Sequence, residues 1–226
     1  MTLSYQLFVA QKIKIAQNVA RGCCDGTYAE GALILCSIIS GLSAIAWPDH
    51  KKNNIDRKRF VEIITRFSPL PHKVSAPLLD QAEKVWSRLG ISQKSFYLTA
   101  SNDLNEKDVE KECPNLSLRK IRKYSYANLL YEQIRCGYVH LYKPGREAAD
   151  HDSLRPIVNF DKNVVSYINI NSKDNKICRL IHFPLHWIAG IAEGVARGLD
   201  NECTQRRKMP FDDLCLEVPT KWWLDG

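Results

Sequence analysis

The stretch LLYEQIRCGYVHLYKPG (129–145) places Arg135, His140 and Tyr142 within an otherwise apolar, helix-like segment. These residue types can act together on a phosphodiester. Arginine offers a permanent, forked positive charge to phosphate oxygens. Histidine is the side chain best suited to moving a proton near neutral pH. The pair is the minimum for metal-free RNA cleavage. His140 would activate a 2′-hydroxyl or protonate the leaving oxygen, while Arg135 would stabilise the charged phosphorane. The plainer alternative is a solvated helix face, on which Glu132 and Arg135 pair and His140 caps the helix C-terminus.

Helical spacing sharpens the choice. At about 100° per residue, positions seven apart return to within about 20° of one face. Asn128, Glu132, Arg135 and Tyr142 then form one polar line, beside faces made of Leu129, Leu130, Ile134 and Val139. His140 lies about 140° round from Arg135 on an ideal helix. It joins the line if the helix loosens or ends near Gly137, the residue type that permits such a break. Upstream, Arg119, Lys120, Arg122 and Lys123 fall on the same helical pattern, two to four turns before Arg135. They could bind an RNA backbone, with Tyr124 and Tyr126 as candidate base-stacking rings, although helical spacing sends one of the two into the core.

Other candidate chemistry is weaker. In HFPLHWIAGIAE, His182 and His186 lie four apart, as zinc ligands on a helix can. Pro184 between them suggests that His182 ends a strand, so a structural role is the expectation. His50, His72 and His151 sit in loop-like stretches, and no P-loop, GxGxxG or GxSxG is present. Neither a metal nor a cofactor is expected. Cys136 beside the arginine could be a nucleophile, but a free cysteine on an apolar helix is usually a small core residue.

The elements that must position these residues are mainly helical. LSYQLFVAQKIKIAQNVARG has a helical apolar pattern ending at Gly22. GALILCSIISGLSAIAW (31–47) is uncharged for seventeen residues, at the lower limit for a membrane span. A buried central helix explains it equally well, and no membrane association is expected. A third helix starts near Asp56 with an apolar stripe of Phe60, Ile63, Ile64 and Phe67, and its Arg57–Arg59 cluster reads as a solvated face. SAPLLDQAEKVWSRLG is a further helix, opened by Ser75 and closed by Gly90. Residues 91–116 read as a loop with a short helix at NEKDVEKE. Beyond KPGREAADHDSLRP the period changes toward two. RPIVNF, VVSYINI and KICRLIHF predict a β-hairpin or three-stranded element within 156–183. A last helix begins near Pro184, and Trp222 with Trp223 is expected to dock the tail. The expectation is one domain over 1–226, a helical bundle with a hairpin inserted before its last helix.

Composition is that of an ordinary globular chain of 226 residues. The net charge of +7 favours anionic partners but also serves solubility. Eight cysteines, at 23, 24, 36, 113, 136, 178, 203 and 215, form no CxxC pair. Reduced thiols and a cytoplasmic location are the expectation. The N-terminal stretch also lacks the order of a secretion signal, since its lysines interrupt the apolar run.

The RCGYVH segment, with four residues between Arg135 and His140, resembles the R-x4-6-H motif of the HEPN (higher eukaryotes and prokaryotes nucleotide-binding) family. RCGYVHLY also resembles the longer R-x4-H-x-Y form of HEPN toxins, which places Tyr142 at the tyrosine. EGALILCSIISGLSAIAWP and DRKRFVEIITRF look like the partner helices of such proteins, and the likeness extends over about residues 20–200. It implies a helical bundle acting as a metal-independent endoribonuclease of a toxin or defence system. A homodimer would line one cleft with two motifs. Arg135 and His140 would be catalytic, with Asn128, Glu132 and Tyr142 in support. Tyr142 would be the hydroxyl that a nucleotidyltransferase-type antitoxin adenylylates. One position departs from the pattern: active members usually carry a polar residue after the arginine, and this chain has Cys136. The competing readings are an inactive HEPN-like module binding a protein or nucleic acid, and a small-molecule or nucleotide-binding regulator.

Overall fold

The computed structural model of the chain describes residues 4–48, 55–68, 73–89, 91, 97–99, 103–149, 164–171, 176–211, 214 and 216–225. Its helices are α1 (Tyr5–Ala20), α2 (Tyr28–Ala46), α3 (Ile55–Phe67), α4 (Ala76–Glu83), α5 (Trp86–Leu89), α6 (Glu106–Glu112), α7 (Leu118–Lys123), α8 (Tyr126–Leu129), α9 (Cys136–Leu141) and α10 (Leu185–Arg206). A π-helical segment, Leu130–Arg135, joins α8 to α9. The strands are β1 (Lys73–Val74), β2 (Tyr97–Thr99), β3 (Leu104–Asn105), β4 (Ser166–Asn171) and β5 (Ile177–His182). The protein is mainly helical with a minor β component. The chain divides into two compact units, Met1–Leu70 with Ile188–Asp225, and Pro71–Trp187 with Gly226.

The first unit holds α1, α2, α3 and most of α10. Ser4 caps α1 by accepting from the Leu7 amide at 3.1 Å, and Gly22, at φ +98°, turns the chain beyond its end. Thr27 and Glu30 form a capping box at the start of α2. The Thr27 amide donates to Glu30 Oε2 at 2.8 Å, and the Thr27 hydroxyl, also bonded to it, is the main reason that the Glu30 carboxyl titrates below its ordinary range. Leu35, Cys36, Ile39, Leu42 and Ala46 of α2 are buried, and the helix packs against α1 and α3. By length and composition α2 could also cross a membrane. The basic cluster on α3 is not all solvated. Arg59 is buried, paired with Asp56, and donates to the Trp47 carbonyl at 3.0 Å, while Lys58 bonds Asp225 at 2.8 Å. The tail docks as expected: the Trp222 ring meets Trp47 edge-on at 5.5 Å, and the Trp223 amide donates to Glu62.

The second unit carries the motif. Its three-stranded antiparallel sheet runs β2-β4-β5, and the β4–β5 hairpin is in register from Ser166 opposite His182 to Asn171 opposite Ile177. The third strand is Tyr97–Thr99, from a stretch expected to be loop. RPIVNF, the strand that the sequence suggested, lies outside the described residues. A second small sheet pairs β1 with β3. The single helix expected over 75–90 ends at Lys84, which adopts a left-handed conformation at φ +56°, and resumes as α5.

Two buried polar clusters tie these elements together. Asp103 accepts hydrogen bonds from Tyr126 on α8, from Tyr167 on β4 at 2.5 Å and from the Ala76 amide of α4 at 3.0 Å. Tyr167 also bonds Ser75 at 2.8 Å. In the other, the fully buried Arg179 donates from Nε to Asn169 Oδ1 at 3.1 Å, and its amide donates to Gln81 at 2.8 Å. Burial raises the nearby Asp80 carboxyl to about 6, although Arg179 draws it down.

Candidate active site

The long helix expected from Leu118 through Tyr142 is interrupted. α7 ends at Lys123, and Ser125 opens α8 by accepting from the Asn128 amide at 3.3 Å. The Tyr124 carbonyl meanwhile accepts from the Ser75 amide at 2.8 Å, an arrangement that no local pattern encodes. Asn128 is fully buried at this corner. Its Nδ2 donates to the Lys123 carbonyl at 2.6 Å and to Glu132 Oε2 at 3.2 Å. It therefore joins α7 to α8 and positions Glu132.

From Leu130 the helix widens. The Cys136 amide bonds the Tyr131 carbonyl, five residues back rather than four. Such a segment places later side chains off the faces that a 3.6-residue period assigns. The straight line from Asn128 to Tyr142 is thus not maintained. Arg135 is half-buried against Tyr131, its guanidinium carbon 4.9 Å from the ring centre. Arg135 Nη1 donates to Tyr131 Oη at 3.3 Å and to Cys136 Sγ at 3.8 Å. A guanidinium stacked this way keeps its charge while losing rotamer freedom.

The helix does not break at Gly137. It continues in α9 to Leu141, and His140 lies exposed in its last turn. The break invoked to bring His140 onto the Arg135 face is absent, and regular helix separates the two by about 140°. Gly137 serves another purpose. A Cβ there would lie 2.7 Å from the Lys143 carbonyl oxygen and 2.8 Å from the Gly145 nitrogen. Having only hydrogen at this position lets the loop after α9 fold back onto the helix. Gly145 then donates from its amide to the Gln133 carbonyl at 2.6 Å. The Gln133 side chain clasps Glu147, donating from Nε2 at 2.9 Å and accepting the Glu147 amide at 3.2 Å. Burial raises the Glu147 carboxyl, opposed by Lys123 and reinforced by Glu132. Tyr142 begins this loop in a left-handed conformation, φ +52°, with 89% of its surface exposed.

The basic residues of α7 are partly neutralised. Arg122 grips Glu106 through two bonds of 2.7 and 2.8 Å, and Lys120 bonds Glu83 at 3.1 Å. Lys123 is exposed over the Tyr124 ring at 5.9 Å, and Arg119 is exposed. Tyr124 and Tyr126 are both buried, so neither offers a face for stacking. His182 ends β5, buried, with Nδ1 3.5 Å from Ser166 Oγ, whereas His186 is exposed on α10. Among the described residues no three His, Cys, Asp or Glu side chains group as a metal site. His50, His72 and His151 lie outside the described residues.

Sequence reasoning missed the Asp103 cluster, whose members come from four distant segments and share no local pattern. The Gln133–Glu147 clasp was also missed, although two glycines eight apart around YVHLYKP signalled a close backbone return. No protein-family model, curated protein or solved structure matches the chain.

Proposed function

We propose that the protein is a HEPN-like, metal-independent endoribonuclease of a toxin or defence type, active in the cytoplasm as a homodimer. The observation that carries this reading is that one continuous helix presents both motif residues, Arg135 half-buried over the Tyr131 ring and His140 exposed in the last turn. Arg135 would bind the scissile phosphate, with its guanidinium held over the Tyr131 ring. Asn128 positions Glu132, and together they brace the helix behind the arginine.

In the proposed reaction an imidazole takes the 2′-hydroxyl proton. The 2′-oxygen attacks phosphorus, the bond from phosphorus to the 5′-oxygen breaks, and a second histidine, starting as imidazolium, protonates the leaving 5′-oxygen and ends neutral. The products are a 2′,3′-cyclic phosphate and a free 5′-hydroxyl, with charge and protons balanced. A two-fold dimer supplies the second His140, which explains how one histidine per chain can serve as both base and acid. Cys136 accepts a hydrogen bond from the arginine, and its thiol would stand where active HEPN ribonucleases usually carry a polar side chain. Adenylylation of the exposed Tyr142 by a nucleotidyltransferase-type antitoxin would place negative charge beside the site and block RNA.

The test is cleavage of a mixed RNA by the purified chain in excess chelator. Arg135→Ala and His140→Ala should each lower the rate by about 100-fold or more while remaining folded. Salt-sensitive RNA binding without cleavage by the wild type would favour the inactive binding module instead.

A further inference from the structure

We propose that the surface around His140 accepts single-stranded RNA, with one unpaired base stacked on Tyr142. This inference rests on the ribonuclease reading for its link to cleavage, but its geometry stands apart from catalysis. Val139, Leu141 and Tyr142 flank the histidine and expose 41%, 60% and 89% of their surfaces. Lys143 and Arg146, both exposed, follow in the same loop. An exposed apolar and aromatic patch edged by cations offers little to a duplex, whose base faces are buried in its own stack. It matches a single strand, which presents bare base faces and a charged backbone together.

The ring is also prepared for such a role. The loop it begins is fixed by the Gly145 amide on the Gln133 carbonyl and by the Gln133–Glu147 clasp. A non-glycine residue held at φ +52° is uncommon and is sustained here by that returning loop. Tyr142 therefore presents its face from an ordered base while its own atoms stay in solvent. A base resting there sits two residues from His140, which sets the register of the strand relative to the proton-transfer group. The rings expected to stack, Tyr124 and Tyr126, are buried, which leaves Tyr142 as the exposed aromatic of this helix and loop among the described residues.

The experiment measures binding and cleavage separately, on the full chain. Binding of a fluorescein-labelled twelve-nucleotide RNA is followed by anisotropy in the His140→Ala background, alone and annealed to its complement. Tyr142→Phe should bind the single strand as the parent does, and Tyr142→Ala should bind it about 10-fold more weakly, a typical loss for one stacked base. Duplex binding should be the weaker in the parent and insensitive to either change. Equal affinity for strand and duplex, or an unchanged affinity in Tyr142→Ala, overturns the inference. Acrylamide quenching of a Tyr142→Trp variant provides a second readout: the indole should be quenched freely in the unbound protein and protected by the single strand. Protection already present without RNA, as burial between two copies would give, also overturns it. A wild type that binds single strands through Tyr142 yet cuts none removes the ribonuclease reading and leaves this one standing. A wild type that cuts RNA with no dependence on Tyr142 does the reverse.

Discussion

Gly137 shows how one atom at one position sets the geometry of the candidate site. The loop carrying Tyr142, Lys143 and Gly145 returns over its Cα, and the atoms that a side chain would strike belong to backbone, which cannot swing aside. Gly137→Ala should therefore destabilise the protein by about 1–3 kcal/mol, the usual cost of overpacking. Urea unfolding would measure it, and an unchanged midpoint would show that the loop does not close as described. Asp103 makes a second prediction. Burial pushes its carboxyl up to about 6 from an ordinary 3.8, against the downward pull of its two tyrosine partners. The folded state thus holds that proton more tightly than the unfolded chain. The resulting stability is fully present below the unfolded value and is lost as pH rises through about 6, up to about 3 kcal/mol. Wild type should lose melting temperature relative to Asp103→Asn between pH 4 and pH 7. Parallel profiles would refute the assignment. The Asp103 cluster was not legible beforehand, since Asp103 sits in a polar stretch and its partners come from distant segments.

Between elements, what could be read divides by the range of the interactions involved. Apolar periodicity located α1, α2, α3, α10 and the β4–β5 hairpin, because each buries a regular face along its own length. The breaks at Lys84 and at Tyr124–Ser125 were hidden, because bonds to distant groups override the local pattern there. The two- and three-residue strands β1, β2 and β3 are too short to carry a period at all. The π segment was equally invisible, and it displaced the polar line drawn from Asn128 to Tyr142. Motif and apolar context picked out Arg135 and His140 as candidates, but the support of Arg135 by Tyr131 came only with coordinates. One local signal that the sequence did hold is the Thr27–Glu30 box at the head of α2. Thr27→Ala should cost about 1 kcal/mol, and Thr27→Ser should restore most of it. Thermal melts of the two variants decide whether the box contributes as its bonds imply.

At the scale of the molecule, the net charge of +7 is consistent with an anionic substrate, but it is not concentrated on α7, where Glu83 and Glu106 meet two of the four cations. In the proposed ribonuclease, substrate recognition would lie at the other end of the motif helix, around Tyr142, Lys143 and Arg146. In that proposal charge would draw the backbone in, and stacking and proton transfer would act at the helix end. In the homodimer proposed for cleavage, specific activity should fall when the protein is diluted below its dimerisation constant. A specific activity independent of concentration across that range would assign both proton transfers to one chain. The most direct measurement is the chemistry of the cut ends in excess chelator. The expected result is 2′,3′-cyclic phosphate and 5′-hydroxyl termini, with no cleavage where a single 2′-deoxynucleotide replaces the residue before the cut. Cleavage that survives that replacement, or that persists undiminished in His140→Ala, would contradict it.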